Sequence, residues 1–256
     1  MQAHLITLTT DFGAGSSYVA AMKGALLSVA PHVQIVDLTH DIPPQDLRAA
    51  ALYLRDTLAY FPPATIHVVV VDPGVGSDRA LLLIETAESQ ILAPDNGCWT
   101  LAIPSPDTVF RLNQPRFWRN PVSATFHGRD ILAAVAGHLA LGVPPQDLGE
   151  PATTWERIEL PRPRRHGDAV VGEIINVDHF GNLISNIAGS DVGSGRVWIA
   201  GREIGELVRT YSHRPSGSLV ALVGSGGFIE IAVVNGSAAR VLQASAGSPV
   251  EVRKSR

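Results

Sequence analysis

Apolar positions along the chain first fall into runs and helical faces and then, past the middle, into short alternating stretches. Residues 5–9 (Leu-Ile-Thr-Leu-Thr) predict a strand, and the apolar spacing over residues 18–29 predicts a helix. Residues 33–38 predict a second strand. A second helix is expected over residues 45–60, opened by Pro43-Pro44 and closed by Pro62-Pro63. Val68-Val69-Val70-Val71 follows, an unbroken apolar run of the kind buried on both faces of a parallel sheet. The order βαβαβ implies right-handed crossovers and a mainly parallel sheet between layers of helices. Residues 81–84 and 90–93 predict a hairpin, and residues 130–141 a third helix.

The pattern breaks down after Pro144, and Pro161-Arg162-Pro163-Arg164-Arg165 reads as a linker. Beyond it no helix longer than two turns is expected. Short strands at 170–177, 196–199, 218–223, 228–233 and 249–253, separated by Gly, Asn and Ser, predict a small antiparallel barrel or sandwich. The expected organisation is an N-terminal α/β domain of Rossmann-like layers (1–160), a linker (161–168) and a C-terminal β domain (169–256).

Composition narrows the class. Of 256 residues, 45% are hydrophobic and 17% charged, which excludes a disordered chain. A formal charge of −4 gives no electrostatic reason to expect nucleic acid. The single cysteine, Cys98, leaves no internal disulfide and no Cys-based zinc cluster, as in a reducing cytoplasm. Met1-Gln2-Ala3-His4 has no basic-then-apolar leader pattern, and no run of about 18 apolar residues suits a membrane. The expectation is a soluble, cytoplasmic protein.

Candidate chemistry gathers at strand ends, where open α/β sheets bind ligands. The valine run ends in Asp72-Pro73-Gly74-Val75-Gly76, with Arg79 seven residues past the carboxylate. The first strand ends in Thr10-Asp11-Phe12-Gly13, and Asp11 and Asp72 are expected to open into one crevice. Either aspartate could equally be a helix cap or turn residue. Phe126-His127-Gly128-Arg129-Asp130 precedes the third helix, where Asp130 could cap and His127 could be a passive surface group. Asp178-His179-Phe180-Gly181-Asn182 offers an acid, an aromatic and an amide, or a hairpin turn with Asn182 left-handed. Gly224-Ser225-Gly226-Gly227 could cradle an anion, or be a plain turn.

Other chemistries find little support. Gly13-Ala14-Gly15-Ser16-Ser17-Tyr18 lacks the third glycine of a dinucleotide fingerprint, and there is no phosphate-binding Gly-Lys-Ser/Thr loop or Gly-x-Ser-x-Gly elbow. A metal on Asp72 and His127 is disfavoured by the fixed charge of Arg79 and the missing paired-His spacing.

Taken together, Thr10-Asp11-Phe12-Gly13, Asp72-Pro73-Gly74-Val75-Gly76 with Arg79, Phe126-His127-Gly128-Arg129-Asp130 and Phe180-Gly181-Asn182 resemble the S-adenosylmethionine (SAM) hydroxide adenosyltransferases. These are adenosine-forming SAM hydrolases related to the SAM-dependent fluorinase and chlorinase. The resemblance runs from the first strand to residues 228–233. It implies an N-terminal α/β domain, a C-terminal β domain, and a homotrimer with each site between neighbouring subunits. The implied reaction is attack of an activated water on ribose C5′ of SAM, giving adenosine and L-methionine. SAM is the substrate, and no cofactor or metal is implied.

The family's Asp-Arg-His set falls on Asp72, Arg79 and His127. Halogenases carry Tyr where Asp72 stands and differ at His127. Water, unlike a halide, must lose a proton, so this set points to water. Arg79 would pair with Asp72 and stabilise developing hydroxide character. Asp11 resembles the acid that accepts both ribose hydroxyls. Phe180 and Tyr211 resemble the aromatics around adenine, and Asn182 the amide reading its edge. Asp178 would meet the methionine ammonium and Ser225 its carboxylate, while Tyr18, Phe126 and Gly128 are implied to line the substrate site. Two departures stand out: Ser17-Tyr18 replaces a common Asp-Tyr, and Gln45 sits where the fluorinase has an aromatic. Halide transfer to C5′, or non-catalytic sensing of SAM or adenosine, are the competing readings.

Overall fold

A computed structural model describes residues 5–254, so Met1-Gln2-Ala3-His4 and its leader reading lie outside the described residues. The chain divides into two compact units, one ending at Ile158 and the other beginning at Glu159. No helix among the described residues is long and apolar enough to cross a membrane.

In the first unit, β1 (Leu5–Thr10), α1 (Ser17–Val29), β2 (Gln34–Thr39), α2 (Leu47–Thr57) and β3 (Thr65–Val70) form the βαβαβ unit. Strands β4 (Leu81–Glu85), β5 (Ser89–Pro94), β6 (Thr108–Arg111) and β7 (Glu150–Pro151) complete a sheet of order β2-β1-β3-β5-β4-β6-β7. Its four leading strands pair in parallel, while β4, β6 and β7 add antiparallel pairs. Every residue of β3 is buried, as its valines predict. Val68 and Val70 pack into a core with Met22 and Leu26 of α1 and with Leu132 and Val135. Val69 and Val71 face the opposite core, with Ala50 and Leu54 of α2 and Trp99. The alternation of a strand thus serves two helix-covered faces at once.

Two helix starts differ from expectation. Helix α2 begins at Leu47 rather than at 45, because Asp46 takes the N-cap and accepts the Ala49 N–H at 2.9 Å. Gln45 is left-handed, with φ 64°. The helix expected from residue 130 begins instead with a π-helical turn over Gly128–Ala133 and continues as α3 (Ala134–Ala140). Such widened turns recur at functional sites.

The second unit contains β8 (Arg164–His166), β9 (Ala169–Val177), β10 (Leu183–Ala188), β11 (Gly195–Ile199), β12 (Arg202–Val208), β13 (Leu219–Val223), β14 (Phe228–Val233) and β15 (Pro249–Lys254). Strands β9 to β15 close a barrel in the order β9-β10-β14-β13-β12-β11-β15, and β8 extends β9. The segment that reads as a linker therefore supplies a strand. The β12–β13 pair is parallel, a departure from the antiparallel expectation. Ile174, Leu183, Ile187, Val197, Ile231 and Val250 fill the barrel.

One buried group in β3 makes the sheet sensitive to acid. His67 is 1% exposed; its Nδ1 lies 2.7 Å from Thr7 Oγ1, and its Nε2 is buried without a partner. Burial pulls its pKa from 6.5 down to about 4. Between those values the unfolded chain binds the extra proton, so stability falls as pH falls. The predicted loss is about 3 kcal/mol from pH 7 to below pH 4. Denaturant unfolding of wild type and His67→Gln across this range checks it. Wild type should lose more stability on acidification, and parallel pH profiles would contradict the assignment.

Candidate active site

Strands β1 and β3 are adjacent, with Thr10 level with Val70, so both chains leave the sheet at the same edge. Asp11 follows Thr10 directly and Asp72 lies two residues beyond Val70. The loop after β1 is tied to the loop after β2. The Gln45 N–H donates to Asp11 Oδ2 at 2.8 Å, the Gly13 N–H to the His40 carbonyl at 2.7 Å, and the Ala14 N–H to Asp41 Oδ1 at 2.9 Å. A left-handed conformation at a non-glycine residue is unfavourable, and at Gln45 it aims a backbone donor at Asp11.

Asp72 and Arg79 face each other across a tight loop. Ser77 Oγ donates to the Gly74 carbonyl at 2.7 Å. A Cβ at Gly76 (φ 83°) would meet the Ala124 carbonyl at 2.8 Å, so this close approach requires glycine. The two side chains are 6% and 10% exposed. Arg79 Nε donates to Asp72 Oδ1 at 2.7 Å and Nη2 donates to Oδ2, a bidentate fork. Arg79 Nη2 also lies 3.2 Å from His127 Nδ1.

His127 reaches this pair because its neighbour has no side chain: a Cβ at Gly128 would stand 2.7 Å from Val70 Cγ1. Burial and then the Arg79 charge hold the His127 pKa below its ordinary value, against smaller opposing effects of Asp72 and Asp130. Asp130 has a different task. Fully buried, it accepts two 2.7 Å bonds from Arg129 and one of 2.9 Å from the Ser123 N–H, with Arg119 Nη1 at 3.3 Å. Burial opposes its charge, but Arg129, Ser123 and Arg119 outweigh burial and keep its carboxyl below the usual range. It pins the 119–125 segment to the helix that follows.

These elements surround a cavity of about 450 Å³ in the first unit. Asp11, Tyr18, Asp72, Phe126, His127 and Gly128 line it, and Arg79 is anchored to two of them. Phe12, Tyr18 and Phe126 form an aromatic corner with centroids 5.3–5.8 Å apart. Gln45, noted in the sequence as a departure from the fluorinase, also lines the cavity, as do Phe12 and Arg129, which flank the site residues Asp11 and Gly128 in the chain.

The remaining sequence candidates lie in the second unit. Phe180, Asn182 and Tyr211 line a cavity of about 580 Å³ together with Ser237 and Arg240. Asp178 organises the turn beside it. Its Oδ1 accepts the N–H groups of Phe180 (2.9 Å) and Asn182 (2.8 Å), and its Oδ2 accepts Asn182 Nδ2 at 2.9 Å. Gly181, not Asn182, takes the left-handed position, with φ 82°. Tyr211 donates to the buried Glu230 at 2.6 Å, and burial together with Glu230 pushes its pKa up to about 12. Glu230 itself is raised by burial. Ser225 does not line this cavity; it is exposed in the turn where the Gly227 N–H meets the Gly224 carbonyl.

The cavity in the first unit brings the Asp72 carboxylate, the His127 imidazole and the Asp11 carboxylate to one wall. Comparison with known proteins bears on what fills it. The chain matches the SAM hydroxide adenosyltransferase N-terminal domain over residues 6–149 and the C-terminal domain of the same family over residues 172–251. It is 40% identical to an (R)-S-adenosyl-L-methionine hydrolase of Thermus thermophilus, covering 95% of this chain and 97% of that one. A more distant relative, a fluorinase of Nocardia brasiliensis, is 27% identical over 97% of this chain and 96% of its own. An uncharacterized conserved protein from Thermotoga maritima shares the fold, with a TM-score of 0.90, 31% identity, and coverage of 98% of this chain and 100% of that one.

Proposed function

The chain belongs to the SAM hydroxide adenosyltransferase family, and we propose that it hydrolyses S-adenosyl-L-methionine, in the (R)-sulfonium form, to adenosine and L-methionine. The observation that carries this reading is the Arg79 guanidinium held by both Asp72 and His127 at the wall of a cavity that also contains Asp11. The choice of sulfonium epimer rests on the name of the Thermus thermophilus relative.

Guanidinium groups donate and never accept. The nitrogen of His127 facing Arg79 is therefore the acceptor, and in the neutral ring the proton sits on Nε2. Arg79 then only donates, His127 accepts at Nδ1 and donates from Nε2, and Asp72 only accepts. Two of its lone-pair sites are used by Arg79 and others remain open. In this account His127 Nε2–H holds a water oxygen and Asp72 takes the water proton as attack proceeds. The C5′–O bond forms, the C5′–S bond breaks, and sulfur leaves with the bonding pair as a neutral thioether. Opposite charges on nucleophile and sulfonium disappear together, so a fixed nucleophile in a water-poor cavity favours reaction. The substrate brings its own leaving group, and the chemistry asks for no cofactor. A cytoplasmic location fits the fully buried Cys98, which is unavailable for a disulfide.

We also infer a homotrimer in which the second unit of one subunit meets the first-unit cavity of a neighbour. Family membership supports this, as does Phe180, an aromatic 74% exposed at a cavity edge.

Two experiments test these readings. Incubation with separated SAM epimers, with and without chloride or fluoride, should release adenosine from the (R) form whatever the halide. Asp72→Asn should lower turnover by about 10²–10⁴-fold, the range of general-base catalysis, while adenosine affinity changes little. A 5′-halo-adenosine rising with halide would favour halide transfer; stoichiometric SAM binding without adenosine release would favour a sensor. For the assembly, Asp72→Asn and Asn182→Ala proteins refolded together should regain activity that neither has alone. No regain would place both residues in a single-subunit site.

A further inference from the structure

The loop bearing Asp11 is anchored to a group outside the cavity. His40, 8% exposed, follows β2 and touches that loop on two sides. Its carbonyl accepts the Gly13 N–H at 2.7 Å, and its Nδ1 lies 2.9 Å from Thr10 Oγ1. Thr10 Oγ1 in turn accepts the Phe12 N–H at 3.2 Å. Thr10, just before Asp11, is bonded to the imidazole, Phe12, just after it, to the Thr10 hydroxyl, and Gly13 to the His40 backbone.

The other ring nitrogen determines whether this can work. His40 Nε2 lies 3.1 Å from Asp37 Oδ1, and Asp37 Oδ2 holds Lys23 Nζ at 2.6 Å. Burial opposes the Asp37 charge, but Lys23 and His40 outweigh it and keep that carboxyl low. A carboxylate facing Nε2 keeps the proton on that nitrogen, so Nδ1 of the neutral ring is an acceptor. Thr10 then donates to Nδ1, and its oxygen lone pairs turn to the Phe12 N–H. The Asp37 contact acts by charge at 3.1 Å, since Nε2 makes no aligned hydrogen bond.

We propose that His40, oriented by Asp37, is the positioning residue that holds Asp11 in place for the ribose hydroxyls of the substrate. The inference rests on the reading of Asp11 as the ribose acid. The Asp11 carboxylate itself accepts the Gln45 N–H, so without the His40 ring the Thr10 hydroxyl loses its partner and the backbone that carries Asp11 loosens on the β1 side. The effect is confined to the part of the ligand that Asp11 meets.

The test compares adenosine with 2′,3′-dideoxyadenosine, which lacks both hydroxyls. Wild type is first shown to release adenosine from SAM; failure there would overturn the proposed function rather than this inference. In an enzyme that turns over, charge-assisted hydrogen bonds to the diol should favour adenosine by roughly 100-fold. His40→Phe keeps the ring volume and removes both nitrogens. It should cut this preference to about tenfold or less and raise KM for SAM more than it lowers kcat. In His40→Asn the amide oxygen stands close to the place of Nδ1 and should restore most of the preference. Asp37→Ala, at a half-exposed position, should lose an intermediate share and carries the test if His40→Phe does not fold. Full wild-type preference in folded His40→Phe or in Asp37→Ala would overturn the proposal. So would equal loss in His40→Asn and His40→Phe, which would make His40 mere packing.

Discussion

The site depends on a cation that can only donate. Arg79 is 10% exposed and directs its planar fork at both oxygens of Asp72 while one of its nitrogens also reaches His127. Removing such a charge from water is costly unless the partner is close and well aligned, and here the partner is bidentate. The same fork settles the proton inventory of its neighbours. An imidazole nitrogen beside a guanidinium has to accept, and a carboxylate beside it stays the acceptor of the group. The division of labour proposed for Asp72 and His127 rests on the geometry of one arginine.

What brings these groups together is a fully buried strand. Strand β3 lies between β1 and β5, and its valines fill the cores on both faces. Its end is fixed by the sheet, so Asp72 inherits a fixed origin, and Asp11 inherits one from the adjacent β1. Close packing then sets the remaining distances. Gly128 against Val70 admits the His127 segment, and Gly76 against Ala124 admits the Asp72–Arg79 loop. Asp130, bonded on all sides, locks the segment that carries Ser123 and Thr125 into the cavity wall. Rigid elements of this kind are what an in-line displacement needs.

Much of this was legible in the chain because the signals were strong and local. An unbroken valine run, proline-bounded helices and a carboxylate at strand ends specify β1 to β5 with α1 and α2. Strands β6 and β7, four and two residues long, carry no such signal. Strands β10 and β12 were not legible either. The first buries the polar pair Ser185 and Asn186, where Asn186 accepts the Glu173 N–H and donates to the Pro161 carbonyl, so its apolar alternation is broken. The second has no fully buried residue and is interrupted by Gly205 at φ 114°. In the site, the acid-arginine-histidine set could be picked out by residue type. The left-handed Gln45 and the His40 anchor are properties of backbone angle and long-range contact, which no local pattern carries.

The central claim is a charge and tautomer assignment at His127, and nitrogen-15 NMR of the imidazole reads it directly. With the signal assigned by its loss in His127→Gln, the spectrum should show an unprotonated Nδ1 and a protonated Nε2 throughout the pH range in which adenosine is released. An Nδ1–H tautomer, or an imidazolium in that range, would contradict the account. The first would leave Nε2 free to take the water proton; the second would leave the ring no nitrogen to accept the Arg79 N–H.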